Sequence, residues 1–159
     1  MASRPIDLNA ILDAPLGVCT KGLPDSLADV PLRRVGELGL SLWAGDLLTP
    51  ALTLRGDRLR HNLERMMRFC REHGVALAPH GKTTMAPHLF ADQLAACAWG
   101  ITAATVGQAQ VMAHFGVRRI LIANEVLEAA ARARHVQPAG VEGFEGVVGR
   151  AVGRHPLLP

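Results

Sequence analysis

Apolar side chains recur three or four residues apart in the middle of the chain, and this period predicts an amphipathic helix from Asp57 to about Gly74. The apolar positions of this helix are Leu59, Leu63, Met66, Met67 and Cys70. Arginine and glutamate fill most of the opposite face. We expect the methionines and the cysteine to pack in a core, because apolar positions at helical spacing form the buried stripe of a surface helix.

Further along the chain, short apolar runs alternate with helical patterns. The predicted strands are 75–79, which we expect to be buried, 101–105 and 119–123, and the predicted helices between them are 87–99 and 107–115. Phe90, Leu94 and Cys97 form the apolar stripe of the first of these helices, and Gly116 closes the second. Alternation with short connections implies a parallel sheet with right-handed crossovers. The carboxyl ends of its strands then meet at one edge, where parallel α/β proteins bind ligands.

The two ends of the chain lack this alternation. Residues 1–48 are interrupted by prolines and predict an irregular N-terminal extension. Residues 128–159 are rich in alanine, arginine and glycine, and predict a poorly ordered low-complexity tail, because glycine is costly inside helices and strands. The predicted organisation is therefore an extension (1–48), an α/β segment (49–127) and a tail (128–159).

Composition narrows the class of protein. The chain has 159 residues, of which 49% are hydrophobic and 19% charged, as in a folded domain or part of a larger one. A net charge of +3 is too small to indicate a nucleic-acid partner. Three widely spaced cysteines predict neither a disulfide framework nor a metal site, and favour a reducing compartment, the cytoplasm. No apolar run reaches the roughly 18 to 20 residues of a membrane span, so we expect no membrane partner.

A lysine lies just beyond the first predicted strand, in the sequence PHGKTT of residues 79–84. A phosphate-binding loop would need a glycine five residues before Gly81, where the chain has Ala76. Pro79 also lacks the backbone N–H that such a loop uses. A nucleotide site is therefore not predicted. Two interpretations of Lys82 remain open: an exposed loop lysine with no catalytic role, and an amine that condenses with an aldehyde cofactor such as pyridoxal phosphate.

The lysine motif is one of several separated blocks that together resemble an enzyme family. The blocks are KGLP (21–24), PHGKTTMAP (79–87), AWGIT (98–102) and RRILIANE (118–125), and the similarity extends over about residues 15–127. They are similar in sequence and order to the amino acid deaminase group, which contains D-serine deaminase-like and D-threonine aldolase-like enzymes of the fold-type III, alanine racemase N-terminal superfamily. His88 and Cys97 stand where this family is expected to have glutamine and glycine.

The resemblance implies a cofactor, a substrate class and a set of site residues. The cofactor would be pyridoxal 5'-phosphate, and the small-molecule substrate a D-amino acid that is deaminated through loss of its α-proton and β-elimination. Lys82 would be the catalytic Schiff-base lysine and proton-transfer group, at the end of the first barrel strand. His80, Thr105, Gln108 and Asn124 are further candidates for binding the cofactor. No metal ligand is implied within this chain.

The resemblance also implies a fold and leaves alternatives for the function. The fold would be a partial (β/α)₈ TIM-type barrel of the α/β class, truncated after about three barrel strands, since a whole barrel needs roughly 250 residues. The apolar run 51–54 would join a separate C-terminal β domain, and a full-length family member is expected as a homodimer. A non-catalytic pyridoxal-phosphate-binding protein of the same superfamily and an inactive truncated remnant are the alternatives to an enzyme.

Overall fold

The computed structural model describes residues 6–18 and 20–124 and the backbone of residues 145–148. The helices of the described ranges are α1 (Asn9–Leu12), α2 (Leu32–Val35), α3 (Gly56–Glu72), α4 (Pro87–Ala95) and α5 (Val106–His114), with a 3₁₀ turn at Asp25–Leu27. The strands are β1 (Ile101–Ala103), β2 (Arg119–Ile122) and β3 (Glu145–Val148). None of the helices within these ranges is both long enough and apolar enough to cross a bilayer.

The three strands form a parallel sheet in the order β1-β2-β3. Within the first pair, Thr102 lies opposite Leu121. The order β1, α5, β2 along the chain confirms the predicted alternation of strands and helices in this region. Both strands are shorter than predicted, and α5 has the predicted length but begins one residue earlier. The strand β3 falls within the segment 128–159, which we predicted to be a poorly ordered tail, and the rest of that segment lies outside the described residues.

The core lies where α4 and α5 pack against β1 and β2. Its fully buried large side chains are Phe90, Ile101, Met112, Val117 and Ile120. All three residues of β1 are buried, while β2 buries Ile120 and Ile122 and exposes Arg119. Burial of a large apolar side chain contributes roughly 1.5–3 kcal/mol, so these few side chains hold α4, α5 and the sheet together.

The predicted strand 75–79 is not a regular strand in the structure. Its residues are exposed or half-buried, and only His80, directly after it, forms a parallel bridge to Thr102 of β1. Continuing this bridge back by two residues would require the N–H of residue 79 to donate to residue 100, and Pro79 has no N–H. The prediction of a buried strand is therefore wrong, although the segment does run beside β1.

Two predictions about helix faces also need correction. Met67 and Cys70 of α3 are buried as expected, but Met66 lies on the solvent side with 48% of its surface exposed. Helix α4 ends at Ala95, four residues before the predicted end, and Cys97 lies beyond it, exposed, with a φ of 77°. Phe90 is fully buried and Leu94 packs against the core, so the apolar stripe of α4 has these two members without Cys97.

The described residues divide into two compact units, one formed by Asp7–His61 and the other by Ile6 with the residues from Asn62 onward. In the Asp7–His61 unit, the main chain at Pro15 pairs in antiparallel fashion with Pro31, and the helices that lie wholly within the unit, α1 and α2, are only one turn long. The run 51–54 is not a strand in the structure, and Leu52 and Leu54 are exposed. The predicted segment boundary at residues 48 and 49 is not tested by this division and stays a prediction.

Candidate functional site

The residues around Lys82 are fixed to β1 by main-chain hydrogen bonds on either side of His80. The N–H of Thr102 donates to the carbonyl of Pro79 over 2.7 Å, and the N–H of Gly81 donates to the carbonyl of Thr102 over 2.9 Å. The side chain of Thr102, which is 2% exposed, adds a third bond from Oγ1 to the carbonyl of Ala78 at 2.7 Å. Thr102 thereby holds the chain on both sides of His80 and places Lys82 just past the end of this pairing.

Gly81 is buried directly before Lys82, in a space that admits no larger residue. A Cβ at this position would lie 2.6 Å from Ile101 Cγ2, 2.6 Å from Phe90 Cε1 and 2.9 Å from Met112 Cε. Distances this short do not occur between packed carbon atoms, so the core itself requires glycine here. The anchored Gly81 brings the main chain of Lys82 to the surface directly above the core.

Lys82 begins a tight turn at the surface. Its side chain is exposed, and the turn is closed by the N–H of Met85, which donates to the carbonyl of Gly81 over 2.9 Å. Met85 adopts a φ of 46°, a left-handed conformation that few non-glycine residues adopt, and it packs against the core. The primary amine of Lys82 is therefore carried on a turn whose two ends are both fixed.

Gln108, in the first turn of α5, contacts the Lys82 turn. Its side-chain Nε2 donates to the carbonyl of Lys82 at 3.3 Å, and its Oε1 accepts from the N–H of Ala104 at 2.9 Å. Thr105 is the N-cap of α5, because its Oγ1 accepts from the N–H of Gln108 at 3.3 Å. The structure therefore brings Lys82, Thr105 and Gln108 to one edge of the sheet.

The other two candidate residues, His80 and Asn124, lie at the same edge of the sheet, where they are placed by their main chains. His80 is exposed, and its main chain forms the bridge to Thr102. Asn124 is exposed two residues after β2, and the end of β2 is joined to the end of β1 by a bond of 3.0 Å from the N–H of Ala123 to the carbonyl of Ala103. The candidate residues therefore follow strand ends or the segment beside β1, as expected for a parallel sheet.

Sequence reasoning missed the two residues that contribute most to placing Lys82. Thr102 was read only as part of a strand, and Gly81 only as part of the lysine motif. A threonine in the middle of an otherwise apolar run was the available signal, because a buried hydroxyl needs a hydrogen-bond partner. The close packing around Gly81 has no signature in the local sequence, since Phe90, Ile101 and Met112 come from three separate elements.

A cavity of about 310 Å³ lies at the opposite end of the strands from Lys82. Its walls come from the end of α3, from residues 75–77 and from residues just before or at the start of β1 and β2, such as Trp99 and Arg119. The guanidinium of Arg119 lies 5.6 Å from the Trp99 ring centroid. Ligands of parallel α/β proteins bind at the carboxyl ends of strands, so this cavity is not the candidate site. In the part of the chain that the structure describes, no group of three or more His, Cys, Asp or Glu side chains could hold a metal ion.

The chain is similar to two D-amino acid enzymes. No protein-family model matches it. Over 75 residues it is 39% identical to D-threo-3-hydroxyaspartate dehydratase from a Delftia strain, covering 47% of this chain and 20% of that enzyme. The chain is homologous to fold-type III pyridoxal-phosphate enzymes. The solved structure of D-threonine aldolase from Filomicrobium marinum matches with a TM-score of 0.53 and 35% identity, over 56% of this chain and 25% of that one.

A second solved structure belongs to a point variant of D-threo-3-hydroxyaspartate dehydratase, with a TM-score of 0.54 and 33% identity over 65% of this chain and 26% of that one. Both relatives depend on pyridoxal phosphate, and both contain a TIM-barrel domain. These findings confirm the family resemblance and the cofactor of the family. The homologous chain spans about a fifth to a quarter of the length of the proteins it matches.

Proposed function

We propose that this chain is the N-terminal part of a pyridoxal-phosphate enzyme that deaminates a D-amino acid, with Lys82 as the Schiff-base lysine. The parallel sheet with α4 and α5 would be the first part of a (β/α)₈ barrel. The observation that carries the proposal is the position of Lys82: an exposed amine at the carboxyl edge of a parallel sheet, on a turn fixed by Gly81 and Thr102. Homology to two pyridoxal-phosphate enzymes supports it independently.

The residues present fit the aldehyde end of this cofactor. Condensation with an aldehyde needs a primary amine that the aldehyde can reach, and Lys82 is exposed while its main chain is held in place. The bound cofactor would supply an electron sink for the carbanion that forms when the substrate loses its α-proton. Lys82 Nζ would hold the cofactor and move this proton. We assign His80, Thr105, Gln108 and Asn124 to the surroundings of Lys82.

Three proteins test the role of Lys82, because the chain contains only one other lysine, Lys21. The wild-type chain, Lys82→Ala and Lys21→Ala are each mixed with pyridoxal phosphate, and the near-visible absorbance of a lysine Schiff base is recorded. The band should form in the wild type and in Lys21→Ala and should be missing in Lys82→Ala. Equal spectra for the wild type and Lys82→Ala would refute the proposed role of Lys82.

The reaction is tested by the products released from D-amino acids that carry a β-hydroxyl group. Elimination of water followed by hydrolysis releases ammonia and a 2-oxo acid, whereas an aldol cleavage releases glycine and an aldehyde. We expect ammonia and the 2-oxo acid from a protein that contains this chain together with the remainder of a barrel. Formation of the Schiff-base band without either pair of products would instead favour the non-catalytic pyridoxal-phosphate-binding protein.

A further inference from the structure

The side chain of Gln108 connects two loops at the carboxyl edge of the sheet. One loop follows the segment beside β1 and contains Lys82, and the other follows β1 itself and contains Ala104. These residues are separated by more than twenty positions in the chain, so the contact between the loops is a tertiary one. Among the side-chain hydrogen bonds of the described residues, the bond from Gln108 is the one that reaches the main chain of Lys82.

The orientation of the Gln108 amide follows from its partners. The main-chain N–H of Ala104 can only donate, so the amide oxygen must face it, and the distance is 2.9 Å. The amide nitrogen is then directed at the carbonyl of Lys82, which can only accept. The cap from Thr105 to the N–H of Gln108 fixes the main chain from which this side chain extends. Each polar atom of the amide thus has a main-chain partner of the complementary kind.

We propose that Gln108 is a positioning residue, which holds the main chain of Lys82 beside the end of β1 and does not itself contact the cofactor. The inference rests on the proposed function of Lys82 and replaces the role in cofactor binding that the sequence suggested for Gln108. A turn held at the Lys82 carbonyl leaves the amine fewer directions to explore. Capture of an aldehyde depends on such alignment of the reacting groups.

Two substitutions of Gln108 distinguish its hydrogen bond to Lys82 from its hydrogen bond to Ala104. Gln108→Glu keeps an oxygen that accepts from Ala104 N–H, but a carboxylate cannot donate to the carbonyl of Lys82 and repels it. Gln108→Met has a similar length and loses both contacts. Gln110→Glu is the matched control, because Gln110 lies on the same helix, is exposed, and makes no side-chain hydrogen bond within the described residues.

The first measurement is the rate at which pyridoxal phosphate is captured at Lys82, followed by borohydride trapping. We expect both Gln108 variants to capture the cofactor more slowly than the wild type by roughly threefold to tenfold, the effect of losing the one hydrogen bond to the Lys82 carbonyl. The control Gln110→Glu should keep the wild-type rate. Capture at the wild-type rate by Gln108→Glu would overturn the inference. Thermal unfolding of each variant, followed by circular dichroism, shows whether a variant is still folded. A slow capture rate in an unfolded variant is thereby distinguished from the loss of the hydrogen bond to Lys82.

The second measurement needs no cofactor and is made by NMR on the same proteins. The amide of Lys82 should become more mobile in both Gln108 variants, and the Ala104 amide should lose protection from hydrogen exchange in Gln108→Met but keep it in Gln108→Glu. Unchanged mobility at Lys82 would overturn the inference even if capture were slow. If the wild type captured no cofactor at Lys82, the proposed function would fail, and this measurement alone would decide whether Gln108 holds the lysine turn.

Discussion

Gly81 lies so close to Phe90 that a Cβ on the glycine would come within 2.6 Å of the Phe90 ring. Phe90 is fully buried in the core between α4, α5 and the sheet. The residue that precedes the candidate catalytic lysine is therefore determined by core packing. Changes that disturb this packing should affect both stability and the position of Lys82.

We predict that Gly81→Ala lowers the free energy of unfolding. The added methyl group would overlap Ile101 and Phe90, and inserting a methyl group into a packed core costs about 1–3 kcal/mol. Gly107→Ala is the control, because a Cβ there would meet only Thr105 Oγ1 at 4.0 Å, and it should be neutral or slightly stabilising. Urea unfolding followed by circular dichroism measures both. Equal stability of Gly81→Ala and the wild type would contradict the packing described here.

We predict that Thr102→Val weakens the attachment of the lysine turn to β1. Valine has the same shape as threonine but cannot donate to the carbonyl of Ala78, and one lost hydrogen bond costs about 0.5–1.5 kcal/mol. The same substitution at the exposed Thr84, which makes no side-chain hydrogen bond within the described residues, should change stability by less than about 0.5 kcal/mol. A Thr102→Val protein as stable as Thr84→Val would show that the bond to Ala78 contributes nothing.

We predict that Cys97→Gly stabilises the chain. Cys97 has a φ of 77°, where a side chain costs roughly 1–2 kcal/mol. Glycine removes that cost but brings more freedom to the unfolded chain, worth about 0.4–1 kcal/mol. The net gain should be about 0.5–1 kcal/mol, measured by urea unfolding. Cys97→Ser keeps the strained conformation and should match the wild type, so a gain in the serine variant as large as in the glycine variant would argue against relief of strain.

The sequence predicted the strands and helices best where they depend on residues that are close together in the chain. The elements β1, α5 and β2 follow directly from local runs of apolar residues and from Gly116. The segment 75–79 was misread because its apolar run was taken as a sign of burial, whereas its residues are exposed or half-buried and Pro79 has no N–H with which to continue the pairing with β1. Met66 was misread for a related reason, since the width of the buried face of α3 depends on what packs against it.

The sequence predicted the candidate site in part. The lysine motif and its resemblance to a family singled out Lys82, and the alternation of elements placed Thr105, Gln108 and Asn124 at the same edge. The hydrogen bond from Gln108 to the Lys82 carbonyl was not predictable, because it joins residues 26 positions apart through the geometry of two loops. The cysteine at position 97 illustrates the reverse case: the glycine expected from the family suits the positive φ that the structure has there.

The proposed function is tested most directly by identifying the lysine that captures pyridoxal phosphate. The wild-type chain is mixed with the cofactor, reduced with borohydride and digested, and the labelled peptide is identified by mass spectrometry. We predict that the label is on Lys82 and that Lys21, the other lysine of the chain, is unlabelled. A label on Lys21, an equal distribution between the two lysines, or no label in a protein that contains this chain and the rest of a barrel would contradict it.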